Sequence, residues 1–443
     1  MRVVVTKNAF LKTIYVKELE VKCYIYIVQK MKNNNHLELK TEMNEQDEDN
    51  LSKGLYNISL NEKHSKGQYF TTNQDLKNKV LEFICNNPEN ILEPSIGQGD
   101  LIEVICHKYP YVNFDMYEID ENIKLLKAVP EHVVYGDFMK QQISKKYNTI
   151  VGNPPYVRLQ HGNLYIDFTE KCYNLLDFNG ELIFIVPSDF FKLTSSSKLL
   201  NEMLAKGTFT HIYHPNNENL FENASIDVIV YRYCKNPNLP KEVIYNGELL
   251  HITNNNGLIT FNKNRNTSSA LFMDYFDIYV GLVNGKESVF KNEELGNVDI
   301  LNGEDKIDKY IFIEKYPCED KNINEYLQSH KDTLITRKIK KFNEKNWFEW
   351  GAPRNIKSIE KNEGNECIYM YNLTRKEKVA FKGKVCKFGG GLIILIPRKK
   401  CNLDNIVQYL NSDEFKDNFL FSGRFKIGHR QISNSQIPSK CLN

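Results

Sequence analysis

The chain is 443 residues long, enough for about three average domains. Apolar residues make up 41 % and charged residues 26 %, an ordinary globular balance that excludes a wholly disordered chain. The net charge of +2 hides an asymmetry: residues 331–443 hold 23 Lys and Arg against 11 Asp and Glu, a net of +12, leaving −10 for the first 330. A basic C-terminal quarter on an acidic remainder fits a polyanionic partner at one end, or simply a solvated Lys-rich surface.

No run approaches about 18 uninterrupted apolar residues, so no membrane partner is expected. The ten cysteines are scattered without a CxxC pair, as in reduced, cytoplasmic proteins. The ten histidines form no HxxxH or HxH cluster, so no metal site is expected.

In chain order, residues 1–62 begin with alternating apolar residues and lysines and continue into a polar, acidic stretch. They are expected to form a disordered extension. Folded patterning starts near Lys63. NILEPS, NFDMYEID, NTIVGNPPY and GELIFIVP predict buried strands, while NQDLKNKVLEFICNN, GDLIEVICHKY and YIDFTEKCYNLLDFNG predict helices. Such alternation implies a parallel α/β sheet. IDVIVYRYC at 226–234 predicts one more strand, at the far edge. Beyond it the alternation stops, and the expected division is a catalytic domain over 63–240 and a second, mixed α+β domain over 241–443.

The strand ending in Glu93, Pro94 and Ser95 runs into a turn with Gly97 and Gly99 ahead of a helix. Glycines there let backbone approach a ligand at the C-terminal edge of a parallel sheet, although two glycines can equally mark tight packing. Glu118, at the tip of the next strand, suits the acceptor of a ribose diol. Asp137, in a Gly-Asp-Phe turn, can accept the exocyclic amine of an adenine, with Ile119 and Phe138 over its faces. Asn153-Pro154-Pro155-Tyr156 follows the fourth strand. Two consecutive prolines fix a rigid turn, an amide oxygen and a proline carbonyl can accept both hydrogens of a planar amine, and Tyr156 offers a face for a flat base.

These motifs, in this order over roughly 64–235, resemble the N6-adenine DNA methyltransferases of the gamma class (TaqI-like, Eco57I-like). KGQYFTT, with Tyr69 and Thr71, resembles motif X; EPSIGQGD resembles motif I, YEID motif II, GDF motif III and NPPY motif IV. Motif I departs mildly, with Ser95 and Ile96 where alanine and cysteine are frequent. NLYIDF and LIFIVPSDF also match stretches of the family. Asn219-Leu220-Phe221 resembles motif VIII, which assigns Phe221 to stack on a flipped base opposite Tyr156.

The resemblance implies a Rossmann-like, S-adenosylmethionine-dependent catalytic domain followed by a target-recognition domain. It implies double-stranded DNA as substrate, a monomer, and room for a separate cognate restriction endonuclease. By it, Asn153, Pro154, Pro155 and Tyr156 are catalytic. Tyr69, Thr71, Glu93, Pro94, Ser95, Gly97, Gly99, Glu118, Ile119, Asp137 and Phe138 bind the cofactor.

Residues 406–412 resemble a stretch of the family's target-recognition domains. The basic runs 337–341, 347–354 and 424–430 suit phosphate contact, with Arg424, Lys426 and Arg430 as expected DNA ligands. Rival assignments are a methyltransferase of the same fold acting on cytosine, RNA or a glutamine amide, and a DNA-binding specificity protein with an inactive methyltransferase domain.

Overall fold

The computed structural model describes residues 69–443, except 128, 131, 160–161, 222–223, 264–268, 373–376, 418–426 and 443, and the backbone of four strands between residues 2 and 40. The chain divides into two units, 1–69 and 70–443. In the first, Arg2–Val5, Leu11–Val16, Val21–Ile27 and Leu39–Lys40 pair antiparallel in chain order. This corrects the expectation of a disordered extension over those segments. The first three segments are rich in β-branched and aromatic residues, which suit a pleated sheet.

The second unit is built on a ten-stranded sheet. Its strands are β1 (Asn90–Glu93), β2 (Asn113–Glu118), β3 (Val133–Tyr135), β4 (Tyr147–Gly152), β5 (Leu176–Pro187), β6 (Thr208–Tyr213), β7 (Val228–Cys234), β8 (Glu242–Tyr245), β9 (Glu248–Asn255) and β10 (Leu258–Asn262). Their order is β10-β9-β8-β6-β7-β5-β4-β1-β2-β3. Strands β3, β2, β1, β4 and β5 run parallel. Helices α1 (Gln74–Phe83), α2 (Asp100–Lys108), α3 (Leu164–Leu175) and α4 (Ser197–Lys206) belong to the same unit. Ile150, Val151 and Leu182–Val186 are fully buried, as expected of strands covered on both faces. Strand order reverses between β1 and β4. The turns leaving those two strands therefore share one crevice, where α/β sheets bind ligands.

Two expectations change. The IDVIVYRYC strand is not at an edge: β7 lies between β5 and β6, antiparallel to both, and all seven of its residues are buried. A continuous apolar run looks the same whether its strand is terminal or central. The boundary expected after residue 240 falls inside the sheet, which continues through β8, β9 and β10. One apolar core runs from Leu182 and Phe209 through Phe261 and Phe272 to Ile406 and Phe415.

Beyond the sheet, four antiparallel strands lie in the order β11 (Phe276–Val280), β14 (Leu392–Pro397), β12 (Glu366–Tyr371), β13 (Ala380–Lys384). A separate aromatic core gathers Trp347, Trp350, Phe290 and Tyr310.

At the end of the sheet away from the crevice, the Glu181 carboxylate is fully buried. It accepts from Cys85 N (3.1 Å), Asn86 N (3.1 Å), Thr149 Oγ1 (3.0 Å) and Arg232 Nε (2.7 Å). Arg232 also donates to Thr210 Oγ1 at 2.7 Å. Removing one partner of such a pair leaves a buried charge uncompensated. Arg232→Met should therefore lower unfolding free energy by about 3–5 kcal/mol, measured by urea denaturation.

Candidate active site

The crevice is assembled from the ends of β1, β2 and β4. After β1, Gly99 adopts φ +92° as the cap of α2, and a Cβ there would come within 2.1 Å of Val129 Cγ2. A side chain is excluded on both counts. The last residue of β4, Gly152, is equally constrained: a Cβ would sit 2.8 Å from Glu93 Oε1 and 3.1 Å from Phe184 Cε1. The chain can thus pass directly over the Glu93 carboxyl before it turns into Asn153.

Glu118 is 5 % exposed, and its two oxygens accept from Gly97 N and Asp120 N, both at 2.9 Å. The glycine turn is therefore tied to the tip of β2 by the residue expected to hold a sugar. A carboxylate offers about four acceptor positions, so two amides leave capacity for a diol. Glu93 is 1 % exposed and accepts from Ser95 N at 3.2 Å. Burial pushes its carboxyl well above the usual range and the nearby Glu118 charge adds to this, against the opposing Ser95 hydrogen bond. Two acidic groups converge on one loop. That arrangement fits a ligand carrying both positive charge and a vicinal diol, as S-adenosylmethionine does.

Asn153 stands between both halves of the crevice. Its Nδ2 donates to Thr71 Oγ1 at 3.0 Å, and its backbone oxygen accepts from Ser95 Oγ at 3.3 Å. The Tyr156 hydroxyl lies 2.6 Å from Asn153 Oδ1 and 3.2 Å from the Ile185 carbonyl. Pro154 is buried, and Pro155 and Tyr156 are partly so. Tyr156 meets Tyr165 edge-on, with centroids 6.2 Å apart, and the Tyr165 hydroxyl donates to Asp189 Oδ1 at 2.9 Å.

Not every expected residue lies as the motifs imply. Phe221 does reach Tyr156, but the rings are 83° apart with centroids at 6.1 Å, so they do not form two parallel walls. Phe138 is only 3 % exposed and packs edge-on to Tyr117 and tilted against Phe168, which makes it a core ring, whereas Ile119 is 62 % exposed. Asp137 caps its own turn, accepting from Met139 N at 3.0 Å. Tyr69, partly buried, closes the first unit, while Thr71 is buried in the second.

Among the basic runs, Arg337 is not a surface cation. It is buried, donates to the carbonyls of Leu334, Asn284, Trp347 and Glu349, and stacks 3.9 Å from the Phe342 ring centroid. Arg430 donates to the Lys192 and Asn256 carbonyls, at 3.3 and 2.8 Å, and so docks the C-terminal segment onto the sheet. Arg424 and Lys426 lie outside the described residues. In the 406–412 stretch, Asn411 fastens β13, with Oδ1 accepting from Val379 N and Ala380 N. Lys338, Lys341 and Arg354 remain exposed.

A hydrogen-bonded group around His214 carries no motif that spacing in the sequence would reveal. His214 Nε2 lies 2.8 Å from Asp227 Oδ1, and its Nδ1 lies 2.8 Å from the Tyr245 hydroxyl. Ser188 Oγ donates to the other Asp227 oxygen. This group closes both ends of the loop that carries Phe221. Lys171, three residues after Phe168 on α3, was also hidden, because a lysine on an amphipathic helix ordinarily points to water.

A glycine turn after β1, an acidic tip on β2 and an Asn-Pro-Pro-Tyr turn after β4 on such a sheet are the arrangement of the doubly wound fold of S-adenosylmethionine-dependent methyltransferases. Residues 11–221, just under half of the chain, match the Eco57I restriction-modification methylase family. Type II methyltransferase M.HincII of Haemophilus influenzae is 30 % identical over 206 residues, covering 42 % of this chain and 40 % of that protein. Modification methylase CviBIII of Paramecium bursaria Chlorella virus NC1A is 34 % identical over 149 residues, 29 % of this chain and 39 % of that one. The chain thus spans about two-fifths of the length of these curated relatives. The structure of the Type IIL restriction-modification enzyme MmeI in complex with DNA shares the fold over 88 % of this chain and 67 % of its own, at a TM-score of 0.50 and 11 % identity.

The raised Glu93 carboxyl has a titration consequence. Because its folded-state value lies above the unfolded one, its contribution to stability is full below the ordinary carboxylate value and declines as pH rises toward the raised value. A cationic ligand favours the ionised form, so cofactor binding should release a proton and tighten with rising pH in that window, by at most about tenfold per unit. Calorimetry across pH should show this slope for the native protein, and a flat profile for Glu93→Gln.

Proposed function

We propose that the chain is a site-specific DNA methyltransferase that transfers the methyl group of S-adenosylmethionine to the exocyclic N6 amine of an adenine rotated out of duplex DNA. The observation that carries this is the position of Asn153, its side chain fixed by Thr71 and Tyr156 at the lip of the crevice formed by the glycine turn. The cofactor supplies a methyl group on a sulfonium, already activated for displacement. Asn153 Oδ1 and the Pro154 carbonyl accept the amine's two hydrogens, which draws the nitrogen toward tetrahedral geometry and turns its lone pair toward the methyl group. No strong base is needed before transfer, because the amine loses its proton after it has become cationic.

Tyr156 provides the face on which the base lies. Phe221 meets Tyr156 edge-on and must turn to offer a second face. Glu118 takes the ribose hydroxyls, Asp137 the adenine amine of the cofactor, and Glu93 the positive charge. Residues beyond the sheet provide the DNA-reading surface, through exposed cations such as Lys338, Lys341 and Arg354 rather than Arg337 or Arg430.

Methylation-sensitive sequencing of plasmid DNA from cells expressing the protein should show N6-methyladenine at one recurring sequence; methylcytosine, or none, would refute the assignment. Asn153→Ala should abolish the mark while cofactor affinity, read by calorimetry, stays within a fewfold. Turnover within about tenfold of the native rate, roughly 1.4 kcal/mol of barrier, would remove Asn153 from the mechanism.

DNA affinity should fall steeply with salt, by a log–log slope of about −0.9 per phosphate contacted. Changing Lys338, Lys341 and Arg354 together to alanine should flatten that slope by up to three such increments, measured by titration at several salt concentrations.

A further inference from the structure

We propose that Lys171 is a positioning residue for the adenine side of the cofactor pocket, holding the turn that carries Asp137 in its binding shape. The proposal rests on the assignment of the crevice as an S-adenosylmethionine site. Lys171 reaches out from α3 under residues 138–141. Its Nζ donates to the carbonyls of Phe138, Met139 (3.2 Å) and Gln141 (2.8 Å), and lies 4.5 Å from the centroid of the Phe138 ring. An ammonium has three N–H donors, and here each has a carbonyl acceptor.

Those three carbonyls belong to one tight turn, Phe138–Lys140 and its flank, and they converge on a single point. Without a cation their negative ends repel, and the turn opens. Asp137 opens with it, since its side chain caps this turn through Met139 N. Phe138 is anchored in the core against Phe168, which lies three residues before Lys171 and so on the same side of α3. The lysine thus sets the backbone of the turn while the two rings set its depth. Burial lowers the proton affinity of the Lys171 amine, and the neighbouring Cys172 and Asp137 act against that shift. The mechanism above gives Lys171 no contact with either substrate.

The test is Lys171→Met, which keeps the length of the stem and removes every donor. Calorimetric Kd for S-adenosylmethionine and its KM should both rise at least tenfold. The KM for DNA and kcat at saturating cofactor should stay within threefold of the native enzyme. A merely structural lysine would instead lower the melting temperature and leave the Kd of the folded protein unchanged, and that result would overturn the proposal. If Lys171→Met does not fold, Lys171→Gln, which keeps a neutral donor, decides: a Kd raised fivefold or more supports the role, and an unchanged Kd overturns it. Native protein that fails to bind S-adenosylmethionine at all would overturn the cofactor assignment itself, and this proposal with it.

Discussion

The crevice depends on a carboxylate at the opposite end of the sheet. Glu181 is fully buried at the start of the apolar part of β5, and its partners come from the chain leaving α1, from β4 and from β7. A charge so enclosed must be satisfied on every side, which fixes those elements relative to one another. The register of β4 determines where Asn153 emerges, and that of β7 determines where the loop bearing Phe221 begins. The antiparallel insertion of β7 between β5 and β6 is thereby tied to the same ion pair. Apolar burial alone would tolerate slippage of such uniformly hydrophobic strands.

Much of this was legible in the sequence, because α/β topology writes itself into spacing. Apolar strands alternating with amphipathic helices, and motifs recurring at strand ends, located the crevice and ordered Glu93, Gly97, Glu118 and Asn153 around it. The parts that were not legible share a physical cause. Periodicity reports how buried a strand is, not which neighbour it pairs with, so β7 was expected at an edge it does not occupy. The loss of strand–helix alternation after residue 240 looked like a boundary, yet β8, β9 and β10 simply continue the sheet as antiparallel hairpins.

Side-chain roles were harder to read than backbone placement. Arg337 lies in a run of lysines and looks like a phosphate ligand, but its guanidinium ends four carbonyl chains within an aromatic core. Arg430 and Asn411 likewise turned out to join elements together. Long polar side chains are ambiguous in sequence because their stems suit apolar surroundings and their heads suit any carbonyl within reach. Phe138 shows the converse: a ring expected to cover a ligand is occupied by the core. The charge asymmetry of the chain is real, but Lys340, Lys378, Lys382 and Lys387 are engaged by Glu349, Glu304, Asp404 and Glu360.

The hydroxyl of Tyr156 has a single proton and two acceptors within reach, Asn153 Oδ1 and the carbonyl of Ile185. Rotation about one C–O bond therefore decides which of them is served. With the proton toward Asn153, one of the two acceptor positions of that oxygen is taken. With the proton toward Ile185, that hydrogen bond passes to the backbone, and no heavy atom has moved. The Asn-Pro-Pro-Tyr turn can stay rigid and still exist in two electrostatic states, separated by the swing of one hydrogen atom.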